Sequence, residues 1–319
     1  MRAARGVDRL GAAMTDLSLD PLSRPSEQER ALMLSLLSGL VGQIAEELLL
    51  RVPDADQAEV DAEEVVADLR AAGLLGQRDL VGLLVRRADV LAFRSTARQR
   101  PGGGLLETWG ADSNHTVVSA TMAVVIARAS ARDRFGRPGL TLADCDAETA
   151  VTLTYAVAAA LRGPADALVA AAVDMLARHD EGERLDAREA RLMLALEQAG
   201  KLDAGLLMAL ALEGEAVLLA EGLARLARIP AAEAWQMLTG RNERAVGRLL
   251  RLAELDRTAA AGLIAALGEA RSLGDPGEAM VGFDAMTSLE ISTQRAAMRL
   301  PPAFLAARAA FERHGQRRV

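Results

Sequence analysis

A chain with a single cysteine, Cys145, can form no internal disulfide and no cysteine-based metal cluster. That scarcity fits a reducing cytoplasm. Histidine is nearly as rare: His115, His179 and His314 lie far apart, so a histidine-rich metal site has no local basis. Lys201 is the only lysine, which leaves planar, multi-donor arginines to carry the positive charge and to pair with carboxylates. Aromatic residues make up 3% of the chain. The Ile, Thr, Tyr and Phe enrichment of strand-rich proteins is missing. Only one apolar run, Ala31 to Leu50, is long enough to raise the question of a membrane span. It carries Gln43, Glu46 and Glu47 and is interrupted by Gly39 and Gly42, which favours a buried helix. Residues 1–27 contain Arg2, Arg5 and Arg9 without an apolar core, unlike a secretory signal.

What is present is alanine, leucine and valine. Apolar residues reach 51% and charged residues 25%, enough for a real core and too apolar for general disorder. Alanine and leucine lose little side-chain entropy in a helix, so composition alone favours an all-α class. The net charge of -7 disfavours a general affinity for nucleic acid or anionic membrane.

Prolines punctuate the pattern. Pro53, Pro101, Pro138, Pro164, Pro230, Pro276 and the Pro301-Pro302 pair separate apolar-periodic runs or open them, as a helical protein requires. Ser26 with Glu29 forms a capping-box pattern that opens a helix to about Leu50. Further helices are predicted over about 57–73, 77–98, 114–131, 143–162 and 164–179. Two or three more fall within 186–229, broken near Gly200-Lys201 and Glu213-Gly214-Glu215. The remainder are predicted over 231–239, 242–255, 257–273, 277–299 and 301–314. Three stripes are expected to face a core: Ala58, Ala62, Val65, Val66 and Leu69; Val118, Met122, Val125, Ile126 and Ala129; and Leu168, Val169, Ala172, Val173 and Leu176. The reading is an all-α, multi-helical array of packed helical hairpins, HEAT-like or solenoidal in its possible arrangement, without substantial sheet. No internal repeat emerges clearly enough to fix a period.

The expected organisation is a poorly ordered segment 1–27, a small helical unit 28–100, a glycine-rich hinge 101–113, a larger helical domain 114–300, and a C-terminal helix with a basic tail, 301–319. Two stretches then carry a family likeness. Residues 132–162, RDRFGRPGLTLADCDAETAVTLTYAVAAALR, and 216–256, AVLLAEGLARLARIPAAEAWQMLTGRNERAVGRLLRLAELD, resemble a bacterial family known as domain of unknown function 2336. The likeness covers roughly 112–270 and includes the turn Ala227-Arg228-Ile229-Pro230. It implies an all-helical fold. That family has no assigned activity, so the resemblance implies no catalytic residue.

Candidate chemistry is sparse. Asp112 precedes His115 by three residues, a spacing that serves either a hydrolase-type acid–base pair or, more simply, a helix cap built from Asp112, Ser113 or Asn114. Asp144, Asp146 and Glu148 around Cys145 lack the ligand spacing and turn glycine of a calcium loop and read as first-turn charges. His179 reads as a cation at a helix C-terminus. The Pro101-Gly-Gly-Gly104 run lacks the Gly-Lys-Ser/Thr of a phosphate loop. Catalytic, cofactor and metal sites are therefore all expected to be absent. Charge is segregated instead: residues 54–69 are acidic, and 77–100 carry Arg78, Arg86, Arg87, Arg94, Arg98 and Arg100. Such helices read first as an ordinary solvated surface, and otherwise suit internal pairing, a protein partner, or self-association; a nucleic-acid role has only Phe93 nearby to stack a base. The candidate partner-binding residues are Arg86, Arg87, Arg94, Arg98, Trp109 and His115. The expected function is a non-enzymatic, cytoplasmic interaction or regulatory module whose partner is another protein or a second copy of itself.

Overall fold

Helix boundaries in the computed structural model follow the punctuation. The structure describes residues 26–52, 61–95, 104–132, 136–240, 242–271 and 275–301, with positions 304, 307, 308 and 311. Among them the chain forms fifteen α-helices and no strand, only an isolated bridge between Arg132 and Pro138. In order they are α1 (Glu27–Leu49), α2 (Ala62–Ala71), α3 (Arg78–Ser95), α4 (Leu105–Gly110), α5 (His115–Ser130), α6 (Ala147–Ala160), α7 (Ala165–Leu176) and α8 (Leu185–Gln198). There follow α9 (Ala204–Leu212), α10 (Ala216–Ala227), α11 (Ala231–Thr239), α12 (Glu243–Leu252), α13 (Arg257–Arg271), α14 (Pro276–Asp284) and α15 (Ser288–Met298). Each described proline stands outside a helix interior or at a first turn. Pro276 is at the start of α14, where its missing N–H costs nothing, and Asp275 caps it by accepting from the Gly277 amide.

Two expectations about elements are corrected. The stretch 277–299 is two helices, because Thr287 and Glu290 form a reciprocal capping box that restarts the chain as α15. The supposed hinge 101–113 contains α4. Its glycine N-cap offers no side chain, and the Glu213 carboxylate supplies the acceptor instead, taking the Leu105 N–H at 2.9 Å.

The chain divides into two units, up to Ala88 with Val151–Leu176, and Asp89–Ala150 with Ala177 onward. This is not the division expected at the glycine run. Glycines interrupt a helix, but which apolar faces meet decides the cores, and α7 meets α1.

In the first unit α1 buries Leu36, Leu37, Leu40, Val41, Ile44, Ala45 and Leu48. It packs on α2, through Val65, Val66 and Leu69, and on α7, through Leu168, Ala171, Ala172 and Met175. By length and composition α1 could cross a membrane. Its opposite face, however, holds exposed Ser35, Gln43 and Glu46. The capping box of Ser26 and Glu29 opens it as read from sequence. Arg51 closes it, pairing with Glu47 at 2.8 Å and with Asp174 of α7 at 3.1 Å.

In the second unit α10 is the central helix. Nine of its twelve residues are buried, and it touches α8, α9, α11 and α12. It ends at Arg228 with a left-handed φ of 57°, and the Ile229 amide returns to the Ala224 carbonyl. This is the Ala227–Pro230 turn, and Pro230 then opens α11. The closest crossing lies between α12 and α14. A Cβ placed on Gly247 would stand 1.7 Å from the Ala279 carbonyl oxygen, and one on Gly282 would stand 2.2 Å from that of Arg244. Each helix provides glycine where the other brings its backbone, so the two main chains touch directly.

The last helix, α15, is fastened by arginines. Arg295 donates to the Ala227 and Leu252 carbonyls and pairs with Glu254, while Arg299 donates to the Arg228 carbonyl. Positive side chains thus meet the carbonyl ends of α10 and α12.

Candidate interaction site

One largely enclosed cation ties α5 to the rest of the second unit. Arg128, on its last turn, points into the second unit between Glu189 of α8 and Glu215 at the start of α10. Its Nη2 lies 2.6 Å from both Glu189 Oε1 and Glu215 Oε2, and its Nη1 reaches Glu215 Oε1 at 2.8 Å. Arg94 of α3 adds a contact to Glu215 Oε2 at 3.2 Å. Two cations thus meet two carboxylates in a network of which only Glu189 is fully buried.

The two acids respond oppositely. Burial pushes the Glu189 carboxyl above the usual range, and Arg128 only partly offsets that; its Oε2 is buried and accepts no hydrogen bond. Burial also opposes charge on Glu215, but Arg128 and Arg94 together outweigh it and hold that carboxyl below the usual range. Burial likewise disfavours the Arg128 charge, and its two carboxylates more than reverse the effect. Arg94 is lowered by burial and by the neighbouring Arg128.

With Arg128 turned inward, α5 buries Val117, Thr121 and Val124 on the same side. The face expected to be core points outward. Met122 is 46%, Val125 37% and Ile126 55% exposed; Val118 is half-buried and Ala129 exposed. This corrects the sequence reading. The helix carries apolar residues on both sides, so periodicity alone fits two stripes. The third expected stripe is corrected in part: Leu168 and Ala172 are buried, but Val169 and Val173 are about half exposed.

The outward face of α5 has two properties of an interface. Val118, Met122, Val125 and Ala129 follow a 4-3-4 spacing, the seam by which one helix receives another. Beyond His115, α5 has no charged residue except Arg128, so this face has no formal charge in a chain that is 25% charged. One flank carries both signs: Arg188 of α8 donates to the Ala123 carbonyl and pairs with Glu183, beside Arg191.

The other candidate residues are placed as follows. Trp109 is 5% exposed and belongs to the second unit's core with Val117 and Leu218, so it is no exposed binding residue and instead anchors α4. Arg94 is committed to the buried network, not to a basic surface. Arg86 and Arg87 are half-buried, and Arg98 lies outside the described residues, as do Ala58, His314 and the basic tail. His115 is exposed at the start of α5. Asp112 does not engage it: one carboxylate oxygen accepts the Asn114 N–H at 2.9 Å and the other pairs with Lys201. Asn114 is the cap, accepting from the Thr116 and Val117 amides.

Around Cys145, Asp146 acts as read, capping the start of α6 through Thr149, whereas Asp144 belongs to a short 3-10 turn, Leu142–Asp144, ahead of that helix and accepts from Thr141. The thiol is fully buried, and burial with the flanking Asp144 and Asp146 pushes it up to about 12. Among the described residues no three His, Cys, Asp or Glu side chains gather in a metal-binding group. A shallow cleft of about 280 Å³ lies between α12 and α15, lined by Arg251, Glu254, Ser288, Ile291, Ser292 and Arg295. Its arginines are engaged, Arg295 as described and Arg251 over the Phe283 ring at 5.5 Å. Sequence reasoning missed Glu189 and Glu215; the only available signal was an acid at a helix start and another amid apolar neighbours. No family model, no curated protein and no solved structure matches this chain.

Proposed function

We propose that this chain is a non-enzymatic, cytoplasmic protein-interaction module, and that its docking surface is the outward face of α5. The observation that carries the reading is the exposed, uncharged Met122–Val125–Ile126 stripe on a helix whose single internal charge is turned inward. A surface helix ordinarily carries charged residues on its solvent side; a contiguous apolar face without them marks a place where another surface belongs. Membership of the family that residues 132–162 and 216–256 resemble is part of the same proposal and adds a fold without an activity.

The alternative readings draw less support. Asp112 has given both oxygens to Asn114 and Lys201, which suits a helix cap better than a hydrolase base. Of the arginines considered for nucleic acid, Arg94 is spent on Glu215.

The test is site-specific photocrosslinking in the native cell. A photoreactive residue at Ile126 is expected to give protein adducts. One at Arg257, whose side chain is 69% exposed on α13, is expected to give none. No adduct from position 126, or equal adducts from both, overturns the reading.

A further inference from the structure

We propose that the cleft between α12 and α15 binds a small phosphomonoester. The ground for it is positive charge left over once the internal pairs are made. Glu254 pairs with Arg295 at 2.8 Å and Asp284 with Arg257 at 3.1 Å, and Glu290 accepts from the Thr287 amide and hydroxyl at 2.8 Å. These three carboxylates all have partners. Arg228, Arg248 and Arg251 do not: among the described residues none of their guanidinium groups donates a hydrogen bond or joins an ion pair. All three nonetheless act on the acids of the cleft. The Arg295 hydrogen bond chiefly holds the Glu254 carboxyl below the usual range, with Arg228 and Arg251 adding to it. Thr287 does the same for Glu290, with a smaller effect from Arg248. In a chain of net charge -7 this is a local cationic excess, and the walls of a cleft concentrate its field on an anion.

The donors come from both sides. Arg251 lines the cleft and lies 5.5 Å over the Phe283 ring. That stack occupies the flat face of the guanidinium and leaves its in-plane N–H groups for phosphate oxygens. Opposite, the cleft is lined by Ser288, the first residue of α15. Thr287 takes the Glu290 amide, so the amides of Ser288 and Leu289 keep no intrahelical acceptor, and the helix start favours an anion. The Ser288 hydroxyl makes no hydrogen bond of its own. Ser292 donates to the Leu289 carbonyl, so its oxygen, with Glu254, can accept from hydroxyls on the alcohol part of the ester. The volume of about 280 Å³ suits a ligand of few atoms. Glu254 in the cleft and Arg228 beside it are also the two non-glycine residues of positive φ among those described. Glycine is the relaxed choice at such helix ends, and strain of this kind gathers where ligands are held.

The experiment is isothermal titration of the purified full-length chain with glycerol 3-phosphate at constant ionic strength. One site is expected, with a dissociation constant on the order of millimolar or tighter, and no heat from glycerol. Arg251→Gln should weaken binding by ~10-fold or more, because a charged donor to the anion is lost. That change also removes the ring stack, so Ser288→Asp gives a second reading. An acid in the first turn suits the helix, so melting should stay equal or rise, while its charge in the cleft should abolish binding. Arg70→Gln, exposed on α2 in the other unit, should leave the affinity unchanged. No saturable heat up to ~10 mM overturns the proposal, and so does an affinity indifferent to both Arg251→Gln and Ser288→Asp. A single-stranded oligonucleotide that displaces the ester at micromolar concentration overturns it too, by assigning the arginines to nucleic acid.

Discussion

Replacing Gly247 with alanine puts helix propensity and packing in direct opposition. Propensity favours the change by about 1 kcal/mol, since glycine is a poor interior helix residue. Packing opposes it, because the new methyl would stand 1.7 Å from the Ala279 carbonyl oxygen and 2.7 Å from the Phe283 amide nitrogen. Both are backbone atoms, so no side-chain rotation relieves the clash. To reach ordinary contact α14 must withdraw by roughly 1.5 Å. That withdrawal loosens Ala279 and Phe283, which are 0% and 4% exposed. Overpacking alone costs about 1–3 kcal/mol, and partial loss of a buried aromatic adds to it. The expected net effect is a destabilisation of about 3 kcal/mol, or a fall in melting temperature of ~6–12 °C. Calorimetry or circular dichroism checks it, with Gly82→Ala as the control. Gly82 is exposed on α3 with nothing within 4 Å of an added Cβ, so the same substitution there should stabilise by ~0.5–1 kcal/mol. A Gly247→Ala protein that melts at or above wild type would refute the claim that the α12 and α14 backbones touch.

Three other outcomes follow from the charge network and the thiol. Arg128→Met should cost about 3–5 kcal/mol in urea unfolding by stranding Glu189, and adding Glu189→Met should recover most of it, because Glu215 keeps Arg94. The same assay against pH separates the two acids. The contribution of Glu215, whose folded value is depressed, is fully present above the unfolded glutamate value of about 4.3 and is lost as pH falls through the folded one. Glu189 runs the other way: relative to Glu189→Gln, wild type loses stability as pH rises from about 4.3 through the raised folded value. Cys145, buried and pushed up to about 12, should resist a thiol reagent at pH 8 until the chain is unfolded in guanidinium.

The sequence was most readable where a local rule operates. The Ser26–Glu29 box, the Pro230 and Pro276 openings and the acids at the start of α6 depend on neighbours three or four residues apart, and the structure places them as expected. The Thr287–Glu290 box obeys the same rule, although the sequence reading runs a single helix through it. What could not be read is anything decided by a distant chain. The helix α5 is tied through Arg128 to Glu189 and Glu215, 61 and 87 residues away. Without them its inner and outer stripes are equivalent. Gly247 and Gly282 look like weak points in two helices until the helices are laid across one another. Trp109 sat in a glycine-rich stretch that read as a hinge, and only the Glu213 carboxylate, reaching from the turn before α10, shows why a helix starts there.

The fastening of α15 has a consequence for how the chain can vary. Arg295 and Arg299 grip the main-chain oxygens of residues 227, 228 and 252, and every amino acid carries that oxygen. Mutation at those three sites cannot delete the acceptors. Conservation pressure from this attachment should therefore fall on the two arginines and on the path of the backbone, leaving the gripped positions answerable only to their own packing.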